Sequence, residues 1–286
     1  MRSSSSPSAD STPELSRLAG GSEGLAGVPL AALGWPPRGR LPTLLVAPTV
    51  PVLMSSSDDP ARTPDRLLAS FEREVDFGVC LEAQLATRDA LAADPERSEG
   101  RLFMVEHRPA LTLGRRGKRE DVLWSDAQLA EVGMRVFETP RGGEVTLHAP
   151  GQLVAYPIVR VGRQIRAHIH HLADATLAVA ERYGVRNAAF EMDQPGIWLA
   201  PEPDRPRRKL ASIGLHVSRG ITVQGLSFNI DVAPMLFGAL VSCGLPEVEM
   251  VSLRELVEGE LPPLETLARE WAEAYAECAG MRLEWC

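Results

Sequence analysis

The sequence predicts a mixed α/β (α+β) chain in which a mixed sheet is flanked by helices. Three observations predict it. Apolar runs of strand length and amphipathic stripes of helical period both occur from residue 66 onward, interleaved in no regular order. No internal repeat is visible, which argues against a strict βαβ succession. Three strand-like runs, "GIWLA" (196–200), "KLASIGLHVS" (209–218) and "ITVQGLSFNI" (221–230), follow one another with turns at "PEPDRPRR" and "SRG" between them.

Residues 1–65 differ from the rest. Runs of Ser3 to Ser6 and Ser55 to Ser57, with Gly20-Gly21 and Pro36-Pro37, leave little periodicity. Such a stretch buries too little apolar surface to offset its ordering entropy, so a disordered extension is expected, with Met54 as an alternative start. Residues 66–286 are expected to form one domain. Leu81 to Leu91 reads as a helix, and "RLFMVEH" (101–107) and "ALTLG" (110–114) as strands on either side of Pro109. "DAQLAEVG" (126–133) is a short helix stopped by Gly133, and "MRVFET" (134–139) a strand. "LVAYPIV" (153–159) is apolar throughout, as a strand buried on both faces would be, and its proline places it near a strand end or edge. Residues 164–184 form the longest helix, with Ile165, Ile169, Leu172, Thr176 and Val179 or Ala180 on one stripe. Ser252 and Glu255 fit a capping box. Leu264, Leu267, Ala268, Trp271 and Tyr275 line a final amphipathic helix.

Of 286 residues, 30 are Lys or Arg and 38 Asp or Glu, a net charge of −8. That balance argues against a general nucleic-acid binder, and no run approaches the roughly 18 apolar residues of a membrane span. The charge is uneven: residues 247–286 hold ten acids and three arginines, whereas residues 101–220 hold eighteen bases and thirteen acids. The four cysteines (Cys80, Cys243, Cys278, Cys286) form no C-x-x-C pair, and no signal-peptide pattern opens the chain. Reduced thiols and a cytoplasmic setting are expected.

Three segments carry candidate chemistry. "RGGEVTLHAPGQLVAY" (141–156) sets Arg141 and His148 about a glycine-bearing turn, either a ligand loop or a plain connection between strands. Lys209 heads an apolar strand, where desolvation favours a neutral amine able to take a proton; the alternative is a solvated lysine in a basic turn. Cys243 in "LVSCGLPEVEM" lies in a turn, either as a reactive thiol or as a small buried hydrophobe. His168 and His171 share a helix face, but no carboxylate at ligand spacing completes a metal site, and none is expected.

Taken together these blocks resemble the lipoyl(octanoyl) transferase family, which starts protein lipoylation. The resemblance runs through "EHRPALTLGRR" (106–116), "RGGEVTLHAPGQLVAY", "PGIWL" (195–199), "KLASIGLHVSRGITVQGLSFNID" (209–231) and "SCGLPEVEMVSL" (242–253), in the family's order. It implies the fold of biotin and lipoate protein ligases and a Cys243/Lys209 dyad. It implies substrate-binding segments at Arg141, Gly142, Gly143, Glu144, Val145, Thr146, Leu147 and His148, at Ser212, Ile213 and Gly214, and at Gly225, Leu226 and Ser227. The implied reaction moves an octanoyl group from octanoyl-acyl carrier protein, through a Cys243 thioester, to a lysine of lipoyl domains. Those acceptors are 2-oxoacid dehydrogenase E2 subunits and the glycine cleavage H protein; no cofactor or nucleotide is implied. Two positions depart from the family pattern: Leu147 stands where an aromatic is usual, and Gln224-Gly225 stands where His-Gly is usual. An ATP-using lipoate ligase, a thioester hydrolase and a catalytically silent lipoyl-domain binder are the alternatives. Arg115, Arg116, Lys118 and Arg119, with Arg205, Arg207 and Arg208, are candidates for steering acidic protein substrates, the alternative being solvated turn charges.

Overall fold

The structure is a computed structural model that describes residues 64–241 and 248–286. The predicted N-terminal extension with Met54, and Cys243, lie outside the described residues apart from Pro64 and Asp65.

The chain runs β1 (Arg66–Val75), α1 (Phe77–Ala93), β2 (Glu99–His107), β3 (Ala110–Leu113), α2 (Asp126–Glu131), β4 (Arg135–Glu138), β5 (Val145–His148) and β6 (Gln152–Ile158). There follow α3 (Ile165–Arg182), β7 (Ala188–Glu191), β8 (Gly196–Leu199), β9 (Arg207–Ser218), β10 (Ile221–Asn229), β11 (Val248–Met250), α4 (Leu253–Leu256), α5 (Leu264–Ala279) and β12 (Arg282–Trp285). The main sheet has the order β12-β1-β2-β6-β10-β9-β8-β7, with β11 alongside β9; β4-β3-β5 form a second, small sheet. Pairing is parallel at β12/β1, β1/β2 and β11/β9 and antiparallel elsewhere in the main sheet, so the predicted mixed sheet is what forms.

Alternation along the central strands builds two cores. Leu102 and Met104 of β2, Leu153 and Ala155 of β6, and Leu226 and Phe228 of β10 face the helices α3 and α5. Phe103, Val105, Val154, Tyr156 and Ile158 face the other way, against Phe77, Cys80 and Leu91 of α1. This is why "LVAYPIV" carries no polar alternation: both faces of β6 are covered. Its Pro157 is the penultimate residue, near a strand end as predicted, and the β6/β10 ladder ends at Ala155↔Leu226 before reaching it. Past that point the Thr222 hydroxyl takes over, donating to Pro157 O (2.6 Å) and accepting from Val159 N (3.0 Å).

Helix ends follow local chemistry. Asp76 caps α1 by accepting from the amides of Gly78 and Val79. Gly280 closes α5 in the left-handed conformation at φ 66°. The predicted capping box forms at Ser252 and Glu255: Ser252 N donates to Glu255 Oε1 (2.7 Å), and Ser252 Oγ also accepts from Val232 N, which ties α4 to the end of β10. Strands β1, β7, β11 and β12 were not legible in the sequence, and β5 reads there as part of a loop. β1 ("RLLASFEREV") carries charges on its partly exposed face, and the others are three- or four-residue strands.

The α3/α5 contact is sealed by Trp271, fully buried, stacked on Tyr275 at 5.3 Å and donating from Nε1 to Thr176 Oγ1 at 2.9 Å. Replacing Trp271 by Ala is expected to cost about 3–5 kcal/mol. Replacement by Phe, which keeps a ring and loses the hydrogen bond, should cost about 1–3 kcal/mol. Urea titration with an unchanged slope checks the order; equal losses would contradict it.

Candidate active site

Three chain segments converge on one cleft. It is lined by Arg141, Thr146 and His148 from the small-sheet side, by Tyr156, by Ser212 and Gly214 of β9, and by Gln224, Gly225, Leu226 and Ser227 of β10. Eight of the fourteen residues expected to bind substrate are in that lining. The other six are not, for reasons of strand parity and loop construction. Val145 and Leu147 alternate with Thr146 and His148 and point into the core beneath the small sheet, so Leu147 does not form the cleft wall. Ile213 points into the α3/α5 core between Ser212 and Gly214. Gly142, Gly143 and Glu144 build the loop itself: Gly142 N donates to Leu215 O (3.2 Å), Arg116 N to Gly143 O (3.1 Å) and Gly114 N to Glu144 O (2.8 Å). Gly114 permits that approach, because a Cβ there would stand 2.3 Å from Gly143 O.

Arg141 is a fastening of this loop. It is buried, and its guanidinium donates to Thr112 O (2.5 Å), Thr112 Oγ1 (2.8 Å), Gly142 O (2.9 Å) and Glu144 O (2.9 Å). The glycine-bearing turn is thereby pinned to β3.

Lys209 reaches the cleft face through an irregularity in β9. Gly196 opposes Ser212 and Ile197 opposes Ala211, but Trp198 opposes Lys209, so Leu210 is one extra residue. Gly196 and Trp198 share a face, and the inserted residue brings Lys209 onto the same face as Ser212, three positions away. The side chain lies across Gly196, where a Cβ would meet Lys209 Cε at 2.3 Å and Ala211 O at 2.4 Å. Its Nζ sits 4.7 Å from the centroid of the Trp198 ring, and the residue is 3% exposed. Of the two sequence readings for Lys209, the solvated turn charge is the one that fails.

Cys243 lies outside the described residues, but both flanks are placed. Val241 N donates to Asp121 O (2.8 Å), and β11 pairs with β9 so that Met250 opposes Lys209. The sequence reading missed Tyr156 as a cleft residue and all of the polar support behind it. Tyr156 Oη meets His107 Nε2 at 3.0 Å, and His107 Nδ1 meets Val75 O at 2.9 Å. His148 Nδ1 meets Gln152 Oε1 at 3.0 Å. Gln224, flagged in the sequence only as a departure, takes φ 66° and donates its amide to Gln84 Oε1 (2.8 Å). Burial drives His107 down to about 4 and His168 to about 3; His148 falls well below its ordinary value through burial and then the neighbouring His107 and Arg141. Burial pushes the Cys80 thiol up to about 12.

The basic cluster is largely paired. Arg116 bonds Glu144, Arg119 bonds Asp126, Arg207 bonds Glu191, and Arg205 and Arg208 both meet Glu202. That leaves Arg115 and Lys118, of the seven, with no ion pair among the described residues. A roomier cavity of about 480 Å³ lies elsewhere, beside Arg73, Glu106, Asp231, Arg254 and Leu264, and none of the expected site residues lines it. Among the described residues no helix is long and apolar enough to cross a membrane.

Comparison with known proteins matches residues 81–275 to the lipoyl protein ligase A/B catalytic domain. The chain is similar to an octanoyltransferase of Myxococcus xanthus, 39% identical over 167 residues, 57% of this chain and 46% of that one. It thus spans about half the length of that relative. An octanoyltransferase of Nitratidesulfovibrio vulgaris is 31% identical over 212 residues, 71% of this chain and 94% of that one. In fold it is similar to a putative lipoate protein ligase of T. acidophilum, with a TM-score of 0.58 at 12% identity, covering 78% of this chain and 89% of the other. A lipoate-protein ligase A bound with ATP gives a TM-score of 0.54 at 12% identity, with the same coverage of 78% and 89%.

Two outcomes are expected. The buried histidines have folded values below the ordinary one, so their contribution to stability is present above the ordinary histidine range and is lost as pH falls toward about 4 for His107 and about 3 for His168. Each contributes a slope of up to about 1.4 kcal/mol per pH unit in that window. A urea midpoint no lower at about pH 5 than at about pH 7 would contradict this. Gly196→Ala is expected to cost about 1–3 kcal/mol by overpacking and to displace Lys209 from Trp198; an unchanged tryptophan emission spectrum would argue against it.

Proposed function

Because the chain belongs to the lipoyl protein ligase A/B catalytic domain family, in its octanoyltransferase branch, we propose that it transfers an octanoyl group from octanoyl-acyl carrier protein to a lysine amine of lipoyl domains. The acceptors in this reading are the lipoyl domains of 2-oxoacid dehydrogenase E2 subunits and of the glycine cleavage H protein, and the setting is the cytoplasm. Cys243 and Lys209 carry the chemistry. Lys209, as a neutral amine, takes the thiol proton of Cys243. The thiolate attacks the donor thioester carbonyl; a C–S bond forms to Cys243, the original C–S bond breaks, and the carrier thiol leaves with the proton. The acceptor amine then attacks the Cys243 thioester, a C–N bond replaces the C–S bond, and the amine proton returns through Lys209 to the departing thiolate. Of the three substrate segments, Arg141, Thr146 and His148, Ser212 and Gly214, and Gly225 to Ser227 line the substrate site, with Gly214 and Gly225 as the strip against which the chain passes.

The observation that carries this reading is the pairing of β11 with β9. Met250 opposes Lys209, Lys209 is turned onto the cleft face by the bulge, and Val248 lies five residues after Cys243. The remaining cysteines fit the role poorly: Cys80 is buried with its thiol held protonated, and Cys278 and Cys286 lie on the final helix and terminal residue.

Intact-protein mass measurement after mixing with octanoyl-acyl carrier protein should show one octanoyl adduct. Cys243→Ser should abolish it, Cys80→Ser should not, and Lys209→Ala should slow its formation by about 10²–10⁴. An adduct that survives Cys243→Ser sinks the assignment; hydrolysis of the adduct in preference to transfer to an added lipoyl domain would favour the hydrolase alternative.

A further inference from the structure

We propose that the cleft holds a seat for a primary amine, formed by three hydrogen-bond acceptors on residues that line it: His148 Nε2, Tyr156 Oη and Gln224 Oε1. Resting on the reading above, the amine is that of the acceptor lysine. The direction of each hydrogen bond follows from carbonyls that can only accept. Gln152 Nε2 meets Leu147 O (3.0 Å), so that nitrogen donates, and it donates also to Asn229 Oδ1 (2.9 Å). Asn229 Nδ2 in turn donates to Val251 O (3.2 Å), which fixes the second amide in the same sense. Gln152 Oε1 is therefore the end that faces His148 Nδ1 at 3.0 Å, and Nδ1 carries the proton. His148 is neutral in its surroundings, so Nε2 is a bare lone pair, with no hydrogen-bond partner among the described residues.

Tyr156 follows the same logic. Val75 O accepts from His107 Nδ1 (2.9 Å), so His107 Nε2 is an acceptor and the tyrosine hydroxyl donates its proton to it at 3.0 Å. Only lone pairs of Tyr156 Oη remain. Gln224 Oε1 is buried and has no hydrogen-bond partner among the described residues. Its backbone is held at φ 66° with the amide spent on Gln84.

An unmet buried acceptor costs about 1–3 kcal/mol, and Gln224 Oε1 is one; with lone pairs left on His148 Nε2 and Tyr156 Oη of the same lining, the cleft favours a ligand that brings donors. An octanoyl tail has no N–H or O–H to offer these acceptors. A primary amine nitrogen is water-sized and, neutral, brings two N–H donors. The Arg141 cation beside His148 disfavours an ammonium there and favours the neutral amine, which is the nucleophilic form.

The test uses the full chain labelled with ¹⁵N-histidine, with butylamine and octanoic acid as separate probes, at about pH 9, where part of a lysine-like amine is neutral. The His148 signals, assigned by their loss in His148→Phe, should show a protonated Nδ1 and an unprotonated Nε2. Butylamine should shift Nε2 upfield and octanoic acid should not, and Gln224→Leu should weaken butylamine binding about tenfold, as for one lost hydrogen bond. The opposite tautomer, no response to butylamine, or an Nε2 shift driven by octanoic acid would each overturn the seat. In turnover, Gln224→Leu should slow consumption of the octanoyl-Cys243 adduct by a lipoyl domain at least tenfold more than it slows formation of that adduct. Equal slowing of both steps would mark Gln224 as structural only and also overturn the proposal. If the wild-type chain forms no adduct, the octanoyl-transfer reading fails, while the butylamine titration still decides the seat.

Discussion

Covering the central strands on both faces is the constraint from which the rest of this molecule follows. β6 and β10 are buried along their whole lengths. One face of each gives its side chains to the aliphatic core under α3 and α5, and that face is simple. The other face must accommodate polar groups without water, so each needs a protein partner or a ligand. The result is a set of side-chain bridges where backbone ladders stop. Thr222 spans Pro157 and Val159, Gln84 takes the amide of Gln224, and Gln152 with Asn229 connects the small sheet, β10 and the segment that follows β11.

The candidate site lies where regular pairing is interrupted. An extra residue in β9 brings Lys209 onto the face of Ser212, and a positive φ in β10 redirects Gln224. The small sheet supplies the third wall, and Arg141 holds its loop against β3 through carbonyl and hydroxyl acceptors. Such devices cost stability locally and persist because packing around them determines one arrangement. Here the packing is α1 below, through Gln84 and Phe77, and β8 alongside, through Gly196 and Trp198.

These interruptions also explain what the sequence could and could not reveal. The mixed sheet, α3, α5 and the doubly buried β6 follow from apolar periodicity, which reports burial directly. The segments of the site were legible because glycines, an arginine, a lysine and a cysteine cluster in recognisable blocks. Within the blocks, parity was not legible: nothing in "EVTLH" says that Thr146 and His148 face the cleft while Val145 and Leu147 face a core. Short strands such as β7, β11 and β12 carry too few residues for a period to show. The bulge at Leu210 is invisible in "RRKLASIG", because it is defined by what β8 opposes to it. Tyr156, His107, Gln84 and Gln152 look like ordinary strand and helix residues, and they acquire roles only when distant segments meet, as over the 140 positions that separate Gln84 from Gln224.

Charge shows the same dependence on tertiary context. The basic surplus of residues 101–220 suggests a field able to steer acidic partners, yet most of the arginines in its two clusters are bonded to nearby carboxylates. Exposed pairs of this kind contribute little to stability, and they cancel much of the field at long range. Inside the cleft the balance is reversed. A buried arginine stands near a histidine that burial keeps neutral, and among the described residues no carboxylate lines the cleft they share. A site so arranged favours polar, uncharged groups over cations of the same size. For chemistry in which an amine must lose its proton before it can attack, that electrostatic bias acts in the direction of the reaction.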